Sequence, residues 1–251
     1  MSATGTTYRW NTSEAAEAFD RAAEFIHPLY LRVQDEVLGA LGIEPDERAL
    51  VVDLGAGSGR LVERVLTKFP NARAVLVDQS EPFLAIAERR LAHFTNRVSF
   101  IERRLQENWE ADLPKVPRAI VSMSAIHHLD AAEKQALYRR CFDALAPGGI
   151  FINGDEYRPE SDADYLAALE WWTAQKEAAE ARGQIPTSFR PMFEAWYDRN
   201  VRRFGEPRKS GDDCHETIAA QAGYLKQAGF ESVTTTWNEQ LWGVVVARKA
   251  F

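Results

Sequence analysis

The segment Val51-Val52-Asp53-Leu54-Gly55-Ala56-Gly57-Ser58-Gly59-Arg60-Leu61 constrains the fold more than any other part of the chain. An apolar run that ends in an acid and enters three alternate glycines ahead of a helical pattern describes a strand, a tight turn and a helix. Such a turn lets backbone approach a ligand closely at the carboxyl edge of a sheet. The surroundings repeat the theme. Apolar runs at 49–55, 74–80, 98–102, 119–124 and 150–156 alternate with helical patterns at 61–69, 81–94 and 131–146, and Pro147-Gly148-Gly149 turns the chain into the fifth run. Strands separated by helices of this length predict an open, mostly parallel α/β sheet covered on both faces. Later, a helix at 216–228 stops at Gly229, and two strands at 230–237 and 241–249, linked by Asn238–Gln240, predict an antiparallel hairpin at the end of the sheet. Before the first strand, residues 13–41 carry helical periodicity, with Ser13 as N-cap, a break at Pro28 and a stop at Gly42.

The ligand of the glycine turn follows from what the turn lacks. The dinucleotide fingerprint requires a third glycine where Arg60 stands, and no Gly-Lys-Ser/Thr follows for a phosphate loop. Asp53, just ahead of the turn, is unwelcome beside a pyrophosphate and useful beside an ammonium group. Asp78 ends the second strand, where such folds hydrogen-bond a ribose diol. Together the two acids point to a nucleoside with a cationic tail. Composition narrows the partners further: 30 Lys and Arg against 37 Asp and Glu leave a formal charge of −7, which disfavours a nucleic-acid partner. No run approaches the ~20 apolar residues of a membrane span, and the N-terminus MSATGTTYRW lacks an apolar leader, so the expectation is a cytoplasmic chain without a membrane partner. Cys141 and Cys214 are too few for a disulfide framework and show no metal-ligand spacing, so both are expected reduced and no metal is expected. A homodimer is compatible with this composition.

With loop and acid spacing in place, and with SMSAIHHL and LAPGGIFI following in order, residues 45–155 resemble the class I S-adenosylmethionine-dependent methyltransferases. The resemblance implies an α/β, Rossmann-like, seven-stranded, mostly parallel sheet with an antiparallel C-terminal hairpin and helices on both faces, as one domain over residues 1–251. A helical cap at 1–42 and a helical lid insertion at 157–215 complete it. It further implies S-adenosylmethionine as cofactor and S-adenosylhomocysteine as product. By position, Asp53, Gly55, Ala56, Gly57 and Gly59 would line the methionine and sulfonium end, Asp78 would hold the ribose hydroxyls, Gln79 would border the adenine and Ser124 would face the cofactor through its backbone. Where many members carry an Asp after the third strand, this chain reads Glu102-Arg103-Arg104-Leu105-Gln106, so adenine recognition would pass to backbone near Leu105. The segments AFDRAAEFIHPLY, KQAGFESV and GVVVARK also resemble the branch that includes the carboxy-S-adenosylmethionine synthase, in which the tyrosine matching Tyr30 would approach the cofactor's carboxylate. That branch holds its transferred carboxylate with an arginine, and Arg208 and Lys209 lie in that neighbourhood within a diverged local sequence.

The reaction side is read from fewer signals. His128 of the His127-His128 pair, with Glu156 and Tyr157 at the end of the fifth strand, could orient an acceptor or accept its proton. Residues 157–204 hold nine aromatic residues in 48, about 19 % against 11 % for the chain, enough to wall an apolar pocket or to form the insertion's own small core. His27, Trp171, Trp172, Arg190 and Trp196 are the substrate-side candidates. His215-Glu216 reads as the start of the late helix. These signals lead to an expectation of methyl transfer to an O or N atom of a small-molecule substrate. Carboxyl transfer to the cofactor and a non-catalytic cofactor-binding subunit are the alternatives.

Overall fold

A computed structural model describes residues 11–94 and 96–251; the polar start read above as lacking a leader lies outside the described residues. The helices are α1 (Ser13–Ile26), α2 (Tyr30–Ala40), α3 (Arg60–Lys68), α4 (Glu81–Arg90), α5 (Ala131–Ala144), α6 (Asp162–Ala181), α7 (Arg190–Tyr197) and α8 (Ile218–Ala228). The strands are β1 (Leu50–Leu54), β2 (Arg73–Asp78), β3 (Val98–Glu102), β4 (Ala119–Met123), β5 (Ile150–Glu156), β6 (Ser232–Glu239) and β7 (Trp242–Arg248). They form one seven-stranded sheet in the order β3-β2-β1-β4-β5-β7-β6. Five strands are parallel, and β7 pairs antiparallel with both β5 and β6. The expected sheet and hairpin are therefore present, and the hairpin turns through Gln240, whose φ of 55° is left-handed.

Neighbouring residues of one strand serve opposite faces, which explains the unbroken apolar runs. Val51, Leu76, Val121, Ile152 and Val244 pack under α2, α3 and α4 on one face, while Val52, Val77, Ile120, Phe151 and Val245 pack under α5 and α8 on the other. The N-terminal half of α6 joins the first face through Tyr165, Ala168, Leu169 and Trp172. Trp172 lies against Trp242, with ring centroids 5.5 Å apart, and its indole Nε1 donates to the carbonyl of Ile26. The insertion is thus keyed into the sheet at one end. At its other end, Ile185 and Phe189 pack with Ala22 and Ile26 of α1.

Thr12, rather than Ser13, caps α1 by accepting from the Ala15 N–H. The cap lies one residue earlier because Ser13 already has helical backbone. The expected break at Pro28 is present as His27–Leu29, where Leu29 takes a left-handed φ of 66°. One side chain ties α1 to the glycine turn. Asp20 accepts from Ser58 Oγ at 2.6 Å, Arg60 Nε at 3.0 Å and Arg90 Nη2 at 2.8 Å, and Arg60 reaches on to Glu24 at 2.9 Å. Arg60, which breaks the dinucleotide pattern, is therefore the cap's anchor.

Removing the carboxylate would strand two partly buried guanidinium groups. Asp20→Ala is accordingly expected to destabilise the chain by about 2 kcal/mol, below the range for fully buried pairs because these groups keep some solvent contact. For a chain of this size that corresponds to a melting temperature lower by roughly 4–8 °C in a thermal unfolding scan.

Candidate functional site

The carboxyl ends of β1, β2, β4 and β5 meet where the sheet order reverses: β1 pairs with β2 on one side and with β4 on the other. Chain connections leave in opposite directions from such a point, and a crevice opens. The glycine turn sits at its rim. Gly55 has φ 70°, and a Cβ there would fall 2.3 Å from the Cβ of Ala125, so only glycine lets the turn pass this close to the end of β4. The Gly55 N–H donates to Val77 O at 2.8 Å, which fixes the turn against β2.

Two acids converge on this turn. Asp53 is buried, and burial together with the charge of Asp78 pushes its carboxyl up to about 8. Asp78 is held by two backbone donors, Gly57 N–H at 2.8 Å on one oxygen and Ser80 N–H at 2.8 Å on the other. Burial raises the Asp78 carboxyl and those donors partly offset the rise. Gly57 leaves open space where a Cβ would stand. Tyr30 is half-buried nearby, its hydroxyl pushed up to about 12 by burial. Gln79 is exposed beyond Asp78, and the Leu105 carbonyl is already occupied by Arg140 Nη1 at 2.9 Å. Ser124, just after β4, takes a left-handed φ of 54°, a strained conformation for serine.

On the β4–β5 side of the crevice lies a second, denser cluster. His127 donates its backbone N–H to Asp155 Oδ2 at 3.0 Å, and its ring Nδ1 lies 2.7 Å from Asp155 Oδ1. Glu156 Oε2 lies 3.1 Å from His215 Nε2, and Glu156 Oε1 lies 3.4 Å from Ser124 Oγ and 3.6 Å from His27 Nδ1. The Tyr165 hydroxyl holds the other ring nitrogen of His215 at 2.7 Å. Burial opposes a charge on His127, but the carboxylates of Glu156 and Asp155 outweigh it and lift the imidazole to about 9. Burial likewise works against ionised Glu156, yet His127 and His215 hold its carboxyl far below the usual range. His27 is driven down to about 4 by burial. Its ring sits among Phe19, Tyr30, Trp172 and Trp242 at centroid distances of 5.5–6.2 Å.

Of the residues singled out in the sequence, Asp53, Asp78, the glycines, Ser124, Tyr30, His27 and Glu156 lie along this sheet edge, and Trp172 is buried in the core behind His27. Others do not join it. The Tyr157 side chain is buried on the opposite face of the sheet, with its hydroxyl donating to Asn153 O. That placement corrects the expectation that it points at the acceptor edge, because residues 156 and 157 alternate across the pleat. Arg190 is exposed and paired with Glu180 at 3.1 Å. Trp196 packs against the insertion's own Lys176, whose Nζ stands 3.3 Å over its ring, and Trp171 is half-buried against the main core. His128 lies at the cluster's edge, its Nδ1 3.6 Å from Asp213 Oδ1.

His215, expected as the start of the late helix, is instead buried in the cluster, and the helix begins at Ile218 behind the N-cap Thr217. Glu216 pairs with Lys134 at 2.8 Å. The missed signal is the run Asp212-Asp213-Cys214-His215-Glu216, an unusually dense string of titratable groups in a loop. Asp155 escaped notice as a mid-strand residue.

Residues 51–149 match the family model described as a methyltransferase domain. Relatives include a trans-aconitate 2-methyltransferase of Variovorax paradoxus, 38 % identical over 104 residues, which are 41 % of this chain and 37 % of that protein. A carboxy-S-adenosyl-L-methionine synthase of Aeromonas salmonicida is 29 % identical over 136 residues, 50 % of this chain and 53 % of that one. The chain thus spans about half or less of the length of these two relatives. Among solved structures, an O-methyltransferase family protein from Burkholderia thailandensis superposes with a TM-score of 0.66 at 16 % identity, covering 98 % of this chain and 64 % of that one. Human N-acetylserotonin methyltransferase, solved with S-adenosylmethionine, gives 0.63 at 15 % identity over 96 % and 58 %. The sheet order and the glycine turn pressed against the end of β4 agree with these neighbours: the chain has the fold of these methyltransferase structures, and its residues 51–149 match the methyltransferase-domain family.

Proposed function

We propose that the chain transfers the methyl group of S-adenosylmethionine to an oxygen or nitrogen of a small-molecule acceptor, releasing S-adenosylhomocysteine. The observation that carries this reading is the continuity of two sites at one sheet edge: Ala125 lies against the glycine turn, and its neighbour Ser124 reaches Glu156. The cofactor supplies an electrophilic methyl on a cationic sulfur. The residues fit it chemically. Burial and the charge of Asp78 raise the cost of ionising Asp53, a cost that a bound cation relieves, so Asp53 would take the ammonium group. Asp78, oriented by the Gly57 and Ser80 N–H groups, would accept from the ribose hydroxyls. On the acceptor side, Glu156 with His27 and His215 would position a hydroxyl or amine in line with the methyl, and Tyr165, Trp172 and Trp242 would exclude water. The insertion at 157–215 would then act as a lid over the acceptor.

A second reading rests on Arg208, a half-buried cation whose charge acts on the Tyr165 hydroxyl beside this cluster. It would suit a carboxylate, either on a methyl acceptor or on a carboxylated cofactor. Mass spectrometry of ligand released from the purified protein separates the two, because a carboxylated cofactor is heavier than S-adenosylmethionine.

Three measurements test the main reading. Labelled methyl from S-adenosylmethionine should pass to a component of fractionated cell metabolites; a protein that binds the cofactor yet labels nothing overturns methyl transfer. Asp78→Ala should weaken cofactor binding by ~1.5–3 kcal/mol, roughly ten- to hundred-fold, in calorimetry. Asp53 carries its proton at pH 7 because its carboxyl sits at about 8, and a bound ammonium favours the ionised form. Cofactor binding at pH 7 should therefore release a proton, seen as heats that differ between buffers of different ionisation enthalpy, with the difference fading above about pH 9. The same raised carboxyl makes stability of the free protein fall as pH climbs from 3.8 towards 8, since the unfolded chain loses this proton first.

A further inference from the structure

The cluster around Glu156 has a construction that general acid–base work does not require. His127, Glu156 and His215 come from three separate segments, and each offers a ligand atom within 4.8 Å of the others. The outer nitrogen of both imidazoles is held from behind. Asp155 takes His127 Nδ1 and Tyr165 takes His215 Nδ1, which leaves each Nε2 to face inward. A carboxylate or hydroxyl bonded to the far nitrogen is how proteins fix the orientation of a metal-binding histidine. A third imidazole, His27, brings a buried Nδ1 with no hydrogen-bond partner among the described residues, 3.6 Å from Glu156. The charge balance agrees. Asp155 and Glu156 are fully buried and, among the described residues, the ion pairs they make are with histidines rather than with Lys or Arg.

We propose that His127, Glu156 and His215 form a divalent transition-metal site of the two-histidine, one-carboxylate kind, with His27 as an adjoining nitrogen. Imidazole nitrogens select zinc, iron(II) or cobalt(II) over magnesium or calcium, which prefer oxygen. Ligand atoms around an ion at about 2.1 Å stand roughly 3–3.5 Å apart, so small side-chain rotations close the set. Three protein ligands leave coordination positions for an acceptor that presents an oxygen anion, a carboxylate or an enolate. That last role rests on the methyl-transfer reading, whereas metal binding does not.

The test is titration of chelator-stripped, full-length protein with Co²⁺ and with Zn²⁺, without cofactor or acceptor. One equivalent of Co²⁺ should bind and give visible d–d absorption lacking a thiolate charge-transfer band, and Zn²⁺ should displace it and raise the melting temperature. His127→Ala with His215→Ala, or Glu156→Gln, should weaken binding more than hundred-fold, and Asp155→Asn ten- to hundred-fold. The distant His93→Ala should leave it unchanged. Circular dichroism checks that the variants fold. If they do not, wild-type stoichiometry and spectrum decide alone. Absence of saturable binding by wild-type protein at millimolar metal, a thiolate-type spectrum, or equal affinity in the folded variants overturns the site. Metal binding without methyl transfer would leave the site standing and remove only the acceptor reading.

Discussion

Everything in this molecule depends on β1 lying between β2 and β4. That placement sends the connections after β1 and β4 to opposite faces of the sheet and leaves a gap at their carboxyl ends that no side chain of the sheet can fill. Gly55 rides against Ala125 there, and the edge is polar because the strands that border it carry Asp53, Asp78 and Glu156 at or beside their ends. Buried acids at strand ends are costly in a free-standing core. Here backbone N–H groups and imidazoles offset part of that cost, and under the proposed function the charge of a bound cofactor would offset more of it.

The rest of the chain is arranged to close the gap. The N-terminal cap is docked by Asp20 onto Ser58, Arg60 and Arg90, so the helix carrying His27 is fixed to the same turn that carries the glycines. On the other side, Trp172 bonds the carbonyl of Ile26 and stacks near Trp242, whose own Nε1 donates to the Pro28 carbonyl at 2.6 Å. Three segments far apart in sequence thereby hold the short break between α1 and α2 and aim His27 at Glu156. The insertion contributes Tyr165 to the cluster from its sheet-packed end, while its far end packs on α1 through Ile185 and Phe189, and Lys176 lies over the rings of Phe193 and Trp196.

The glycine turn, both acids and the strand alternation were legible in the sequence, because each is a local pattern whose meaning depends on neighbours within a few residues. The boundaries shifted only slightly, as with the N-cap at Thr12. Side-chain direction at the end of β5 was harder: Glu156 and Tyr157 look alike as strand-end polar residues, but the pleat sends one to the crevice and the other to the core. His215 was hidden for another reason. Next to Glu216 and ahead of a helical pattern, it looks like a helix start, and no local rule says that the loop folds back against β5.

By itself, the sequence determined a doubly covered sheet, a glycine turn after its first strand and the two carboxyls beside it, since backbone conformation and hydrophobic period are short-range properties. Only the tertiary structure decided that His27, His127, Glu156 and His215, drawn from across almost 190 residues, meet around one carboxylate. Such a meeting is set by the packing of helices and strands against a shared core, and no spacing rule along the chain encodes it.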